Sequence, residues 1–257
     1  MPVTRPRVVL VEDEAPLRRF IAMALEELPI ELIGCDSVAH AMQALEQAPA
    51  ALILTDLMMP VESGLDLLQR LEQAPHLRGD AKVVVLSAGL TAPVRQQLER
   101  LGVWRMIDKP VSVRQLEQLV QEAVSGAAPM ATQLATHTET PVTAAAPSPL
   151  LEDHDPAHAV DTYFEGDQAF FETYRATCLE QFPHDIETAE QACAQGDLKA
   201  LQIVVHSLKS VLLTLGYPRL SDTARTLEDL SRQGLADQAF AGWPGLREPL
   251  KQLLASA

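Results

Sequence analysis

The first half of the chain alternates short apolar runs with longer stretches in which apolar residues recur at helical spacing. Short runs bounded by polar residues are typical of buried strands, and the intervening period is typical of amphipathic helices. We predict five strands, at residues 7–11, 30–34, 51–55, 82–86 and 104–107. We predict five helices between and after them, at residues 16–28, 38–47, 64–73, 93–101 and 113–124. This alternation predicts an α/β domain over residues 1–125 with a doubly wound, five-stranded parallel sheet.

The second half shows helical periodicity alone, which predicts a separate all-α antiparallel bundle over residues 153–257. One apolar stripe comprises Phe170, Phe171, Tyr174, Cys178 and Phe182, and another comprises Leu198, Leu201, Val205, Leu208, Leu212 and Leu215. Further helices are predicted at residues 183–195, 219–231 and 246–255. Residues 126–152 are rich in Ala, Pro and Thr and lack a periodic apolar face, so we predict a flexible linker there.

Composition limits the classes of partner and location. A net charge of −15 makes nucleic acid an unfavourable partner, because binding its phosphates needs a basic surface. The three cysteines show no disulfide or zinc spacing, which favours a reducing compartment. The first apolar run is too short for a signal sequence or a membrane span, so we expect no membrane insertion and a cytoplasmic protein.

Polar residues follow the predicted strands at the points where the strands end. Glu12 and Asp13 follow the first strand, Asp56 the third, Ser87 the fourth and Lys109 the fifth. Each residue taken singly is explained equally well as a helix cap or a turn. The carboxyl ends of parallel strands share one edge of the sheet, however, so the five side chains should converge. Three carboxylates so close together repel unless a cation joins them, and Mg²⁺ is a suitable oxygen-seeking ion.

This ordered set resembles the receiver domain of two-component response regulators. The resemblance rests on the acidic pair, Asp56 within LTDLMMP, Ser87, and Lys109 followed by Pro110. It implies a flavodoxin-like fold in which Asp56 attacks phosphorus and becomes an acyl phosphate with the help of Mg²⁺. It also implies a cis peptide before Pro110.

The same resemblance implies a role for each neighbour of the acceptor. Asp13 would ligate Mg²⁺ directly, Glu12 through water, and Met58 through its backbone carbonyl. Lys109 would pair with one phosphoryl oxygen as a point charge, and the Ser87 hydroxyl would bond to another.

One position departs from the receiver pattern. Receivers that switch an output usually have Tyr or Phe three residues before the lysine, and this chain has Met106 there. Trp104, expected on the same strand face, is not an obvious replacement. Phosphoacceptor chemistry is unaffected, but surface switching in the usual form is not expected.

The segment HSLKSVLLTLG, residues 206–216, resembles a histidine phosphotransfer (Hpt) domain. At about 100° per residue, His206 lies roughly 140° from Leu201 on the helix, so we expect it to face solvent. The resemblance implies that His206 accepts a phosphoryl group, that Lys209 stabilises it, and that the residue at position 210 is small. The family normally has Gly where this chain has Ser210.

Two apolar residues flank the histidine along the same helix. Ile203 and Leu213 are expected to be exposed and, with Ser210, to form a docking patch for a receiver.

The chain contains neither GxxxxGK[ST] nor GxGxxG, so we expect a phosphoryl carrier without an ATP-binding catalytic domain, not an enzyme. The predicted function is a phosphorelay. Asp56 would take a phosphoryl group from a sensor histidine kinase, and His206 would exchange it with an aspartate of its own receiver or of a downstream response regulator.

Two other functions stay open at this point. One is a phosphorylation-controlled adaptor whose bundle is a docking module. The other is a phosphatase or kinase core, which is disfavoured because no acidic residue follows His206 as in kinase dimerisation helices.

Overall fold

The alternation of apolar and polar residues in the first half produces one parallel sheet. A computed structural model of the chain describes residues 5–125, 151 and 153–256; the predicted linker, apart from Leu151, lies outside them. The strands are β1 (Arg7–Val11), β2 (Glu31–Cys35), β3 (Leu52–Asp56), β4 (Lys82–Ser87) and β5 (Arg105–Asp108). Their order is β2-β1-β3-β4-β5, and all neighbours are parallel. The order of strands reverses beside β1 and β3, which places ligands at their carboxyl ends.

Helices cover both faces of this sheet, which confirms the predicted doubly wound domain. They are α1 (Ala15–Ala24), α2 (Val38–Gln47), α3 (Gly64–Gln73), α4 (Pro75–Arg78), α5 (Ala92–Arg100) and α6 (Val113–Val124). Val8 and Leu10 of β1 pack with α1 and α6, whereas Val9 and Val11 pack with α2, α3 and α5. Helices α2, α3 and α6 have the predicted bounds; α1 ends four residues early, and the short α4 was not predicted.

The second half is a bundle of helices, as predicted. They are α7 (Pro156–Tyr163), α8 (Gln168–Gln195), α9 (Leu198–Thr214), α10 (Pro218–Arg232), α11 (Ala236–Gly242) and α12 (Pro244–Ala255). The predicted start of a new helix at Pro183 is wrong, because α8 runs through it. Phe182 and Ile186 are both buried in the core, and their packing offsets the hydrogen bond that proline removes.

The bundle packs directly against α1 of the sheet domain. The Phe20 ring of α1 lies 5.3 Å from both the Phe170 and Tyr174 rings and 5.4 Å from the Phe164 ring. Phe20 is 2% exposed, and one continuous apolar cluster contains residues of both halves. Helix α1 of the sheet domain and the bundle therefore form one continuous core.

Candidate functional site

Three carboxylates converge at the carboxyl end of the central strands. Asp56 ends β3, Glu12 follows β1, and Asp13 comes next in the chain. One carboxylate oxygen of each residue lies within 4.8 Å of the others. Asp56 and Glu12 are 1% and 0% exposed, so the cluster is withdrawn from bulk water. The parallel topology thus brings together residues that are 44 positions apart in sequence.

Lys109 supplies the positive charge that this cluster needs. Its Nζ donates to Glu12 Oε2 at 2.9 Å and forms an ion pair with Asp56 Oδ2 at 3.0 Å. Its backbone N–H donates to the Ser87 carbonyl at 2.8 Å, and the peptide to Pro110 is cis. Burial acts to lower the pKa of Lys109, but the charges of Asp56 and Glu12 outweigh it and raise the pKa above its ordinary value. The two carboxylates therefore favour the protonated form of Lys109.

The loop after β3 holds one oxygen of the Asp56 carboxylate. Asp56 Oδ1 accepts hydrogen bonds from the backbone N–H of Leu57 at 2.6 Å and of Met58 at 3.3 Å. Coordination of a cation by the Met58 carbonyl stays a prediction. Gly64 permits this loop to turn tightly, because a Cβ there would lie 2.1 Å from the Asp56 carbonyl oxygen.

Two carboxylate oxygens of the cluster are buried and have neither a hydrogen bond nor an ion pair among the described residues. Glu12 Oε1 and Asp13 Oδ1 have no hydrogen-bond partner among the described residues. Burial and the charge of Asp56 raise the pKa of Asp13 to about 6, and burial raises that of Glu12 well above its ordinary value. Buried orphan oxygens call for an ion or water. The donor set of three carboxylates fits Mg²⁺.

Ser87 lies at the end of β4, beside the cluster. It is 1% exposed, and its Oγ has no hydrogen-bond partner within the described parts of the chain. A buried free hydroxyl is available to donate to an incoming oxyanion.

Met106 and Trp104 pack on opposite sides of the sheet. Met106 is half-buried with the α5 layer, and Arg95 Nη1 contacts its Sδ at 3.9 Å. Trp104 precedes β5 and packs with the opposite layer, with Lys82 Nζ 4.4 Å and Arg105 Cζ 4.6 Å from its ring centroid. The prediction that both lie on one face is wrong, because Trp104 is outside the strand.

His206 is not exposed to solvent, contrary to the sequence prediction. It is 4% exposed, on α9. Its Nδ1 lies 2.7 Å from Glu228 Oε1 on α10, and its buried Nε2 has no hydrogen-bond partner among residues 5–125, 151 and 153–256. The helical angle correctly placed His206 outside the apolar stripe of α9. The side of α9 that carries His206 is covered nevertheless, because Glu228 of α10 lies against the ring.

Glu228 is the site residue that sequence reasoning missed. It is 2% exposed, and its Oε2 accepts from Lys209 Nζ while its Oε1 accepts from Arg232 at 2.6 Å. Burial acts to raise its pKa, but the hydrogen bonds from His206 and Lys209 hold the pKa at about 2. A sequence signal did exist, since Glu228 is a charged residue on the apolar face of α10 after Ala224.

The residues predicted as a docking patch divide into two groups. Ser210 is 8% exposed and lines a small gap with Leu17, Lys109 and Pro110 of the sheet domain. Ile203 and Leu213 are half-buried instead of exposed. The sheet domain lies against this part of helix α9, next to Lys209 and Ser210.

Comparisons with known proteins agree with both halves of this arrangement. The profile of the response regulator receiver domain matches residues 8–121, and the profile of the Hpt domain matches residues 173–256. The chain carries a receiver domain followed by an Hpt domain. The fold, the carboxylate cluster and the histidine on α9 are all consistent with these two matches.

Relatives of two kinds are found. The response regulator receiver protein CpdR of Brucella abortus is 26% identical over 121 residues, which are 47% of this chain and 98% of CpdR. The sensor protein GacS of Pseudomonas syringae is 25% identical over 234 residues, which are 89% of this chain and 25% of GacS. The virulence sensor protein BvgS of Bordetella pertussis is 24% identical over 86% of this chain and 18% of BvgS. The similarity to these two sensors thus extends over most of this chain.

Among solved structures, a response regulator receiver protein from Pseudomonas putida is 30% identical, with a TM-score of 0.44 over 47% of this chain and 98% of that protein. None of the helices in the described part of the chain is long and apolar enough to cross a membrane.

The receiver domain and the Hpt domain meet where the loop after β4 faces helix α9. Lys209 Nζ of the Hpt domain donates to the Ala88 carbonyl of the receiver at 2.7 Å, next to Ser87. The same interface leaves an open cleft of about 340 Å³, whose basic lining residues are Lys109, Lys209, Arg225 and Arg232. The residue after Ser87 therefore contacts the side chain that lies three positions after His206.

Proposed function

We propose that this protein is a phosphorelay intermediate in which Asp56 accepts a phosphoryl group from a sensor histidine kinase. His206 then exchanges that group with a receiver aspartate, which belongs to this chain or to a downstream response regulator. The observation that carries the proposal is the environment of Asp56, a buried carboxylate paired with Lys109 inside a cluster of three. The receiver and Hpt matches give the phosphorelay class; the named residues and partners are our proposal.

Each neighbour of Asp56 has a chemical role in this proposal. The candidate ligands Glu12, Asp13, Asp56 and the Met58 carbonyl would hold Mg²⁺, which supplies charge neutralisation for the phosphoryl oxygens. Lys109 would bind one phosphoryl oxygen, and the free Ser87 hydroxyl would donate to another.

On the Hpt side, Glu228 holds the ring of His206 through Nδ1, which leaves the Nε2 lone pair for phosphorus. Lys209 lies beside the ring and would attract the phosphoryl group. The proton on Nδ1 need not move during transfer, so no separate base is required.

Radiolabelled acetyl phosphate tests the assignment of Asp56. With Mg²⁺, His206→Gln protein should acquire an alkali-labile label, and Asp56→Asn protein should acquire none. Removal of Mg²⁺ with a chelator should abolish labelling of the His206→Gln protein. Asp36→Asn is a matched control, because Asp36 also follows a strand but lies at the exposed edge and pairs with His40. Label retained by Asp56→Asn, or absent from all the proteins, would exclude Asp56 as the acceptor.

A further inference from the structure

We infer that the aspartate with which His206 exchanges its phosphoryl group is Asp56 of the same chain, across the docked receiver–Hpt interface. This inference rests on the proposed function and identifies the partner, which the sequence left open. It also implies that the docked chain is closed to other receivers and must open to serve them.

The first support is that the receiver lies against α9 at the two residues that follow His206 on its side of the helix. Lys209, three residues after His206, is bonded to the Ala88 carbonyl. Ser210, four residues after His206, shares a small gap with Lys109. Lys209 thus contacts the loop that follows Ser87, and Ser210 faces the Lys109–Pro110 segment across the gap.

A second contact lies at the start of α1. Leu17 and Phe20 of α1 line the same small gap as Ser210 of α9. The receiver therefore lies against α9 on the α1 side as well as at the loops that follow β4 and β5.

An aromatic contact between α1 and the Hpt domain stabilises the docked arrangement. Phe20 of the receiver contacts Phe164, Phe170 and Tyr174 of the Hpt domain with ring centroids 5.3 to 5.4 Å apart. Aromatic pairs at this spacing stabilise beyond the area that they bury. Connection through one chain adds an effective concentration of about 1 mM, so docking in cis outcompetes a free receiver at lower concentration.

The state of His206 suits transfer in this arrangement. With the proton on Nδ1 and held by Glu228, the Nε2 lone pair attacks the phosphorus of the Asp56 acyl phosphate. The P–Nε2 bond forms as the P–O bond to Asp56 breaks, and the bonding electrons leave with the Asp56 carboxylate beside Lys109. The proton stays on Nδ1, and Glu228 balances the positive charge of the phosphorylated ring. The reverse reaction uses the same groups.

The closed arrangement excludes other proteins from both acceptors. Asp56 is 1% exposed and His206 is 4% exposed. The cleft of about 340 Å³ at the interface is far too small for a protein domain. A sensor kinase or a downstream regulator must therefore bind after the receiver and the Hpt domain have separated.

A mixing experiment tests transfer within the chain. Asp56→Asn protein retains His206, and His206→Gln protein retains Asp56. With labelled acetyl phosphate and Mg²⁺, wild type should acquire alkali-stable, acid-labile label at a first-order rate independent of protein concentration. At about 1 µM of each variant, the mixture should label histidine about 1000-fold more slowly.

The outcomes separate the two proposals. Histidine label in the mixture at the wild-type rate would overturn the inference, as would wild type that labels Asp56 and never His206. Absence of label on Asp56 in the His206→Gln protein would instead overturn the proposed function.

A second experiment tests the interface itself. Ser210→Arg places a side chain too large for the gap against Lys109 and Pro110, whereas Ser210→Gly leaves the gap open. Modification by diethyl pyrocarbonate should be slow at His206 in wild type and Ser210→Gly, and at least tenfold faster in Ser210→Arg. Wild-type His206 that reacts as fast as the exposed His40 would overturn the docked arrangement. If Ser210→Arg fails to fold, Phe170→Ala takes its place with the same expected result.

Discussion

At the scale of single residues, Glu228 organises the Hpt site. One carboxylate oxygen lies 2.7 Å from His206 Nδ1, and the other accepts from Lys209. Glu228 therefore fixes both the tautomer of the ring and the position of the cation. Because the group is 2% exposed, its removal would leave two polar partners without an acceptor.

Substitution of Glu228 should slow transfer to His206 and leave labelling of Asp56 unchanged. We expect Glu228→Ala to reduce the rate of histidine labelling by about 100-fold, the upper end of the loss seen when the partner that orients a metal-binding histidine is removed. Glu228→Gln should reduce it only about tenfold, because the amide oxygen still accepts from Nδ1. Asp229→Asn is the control, since the exposed Asp229 contacts Arg232. Equal rates in all four proteins would show that Glu228 is a structural residue only.

The low pKa of Glu228 predicts how stability depends on pH. A carboxyl whose pKa is about 2 in the folded protein stabilises the fold fully at pH values above the pKa that it has in the unfolded chain. This stabilisation is lost as the pH falls from the unfolded pKa toward the folded pKa. The difference in unfolding free energy between wild type and Glu228→Gln should be constant above about pH 5 and decrease by about 2 kcal/mol by about pH 3. Urea denaturation at each pH measures it. A difference that stays constant to pH 3 would contradict the assigned hydrogen bonds.

At the scale of elements, strand ends and helix ends position the site. The end of β3 presents Asp56, and the end of β4 presents Ser87. Helix α9 presents His206, and its end is fixed by the contact of Gly216 with the start of α7. There the Gly216 carbonyl accepts from the Asp155 N–H at 2.9 Å.

Gly216 should be much less tolerant of a side chain than another glycine at a helix end. It has a φ of +83°, and a Cβ would lie 2.5 Å from the Asp155 carbonyl oxygen. Gly196 has a φ of +70°, but its Cβ would meet nothing within 4 Å in the described part of the chain. We expect Gly216→Ala to destabilise the protein by about 3 kcal/mol and Gly196→Ala by about 1 kcal/mol. If the denaturant midpoints of Gly216→Ala and Gly196→Ala shift equally, the close contact between Gly216 and Asp155 does not contribute to the loss of stability.

At the scale of the whole molecule, the receiver and Hpt domains share one apolar cluster. The packing of α1 against α8, with Phe20 at its centre, couples the stability of one domain to that of the other. Sequence similarity to GacS and BvgS extends across both domains.

Thermal unfolding should report this coupling. Wild type should unfold in one transition, because separation of the domains exposes the ring cluster around Phe20. Phe170→Ala should split the transition into two, since it removes a ring contact across the interface. Phe240→Ala is a matched control on α11, which packs within the bundle. Calorimetry that shows two transitions in wild type would contradict the coupling.

The sequence by itself determined the elements and most of the chemistry of the site. Local periodicity predicted the five strands, and their polar ends predicted the convergence of Glu12, Asp13, Asp56, Ser87 and Lys109. This succeeded because strand ends in a parallel sheet share one edge whatever the details of packing. The continuity of α8 through Pro183 was not predictable, because tertiary burial overrode a local helix-breaking signal.

The tertiary structure alone decided the environment of His206. Its partner Glu228 is 22 residues away on another helix, and the receiver domain contacts Lys209, three residues further along α9. Helical periodicity gives the direction of a side chain relative to its own helix, but it does not identify the surface that will face that side chain. Contacts between distant segments depend on complementary shape and charge, which become defined only when the two domains have folded and docked.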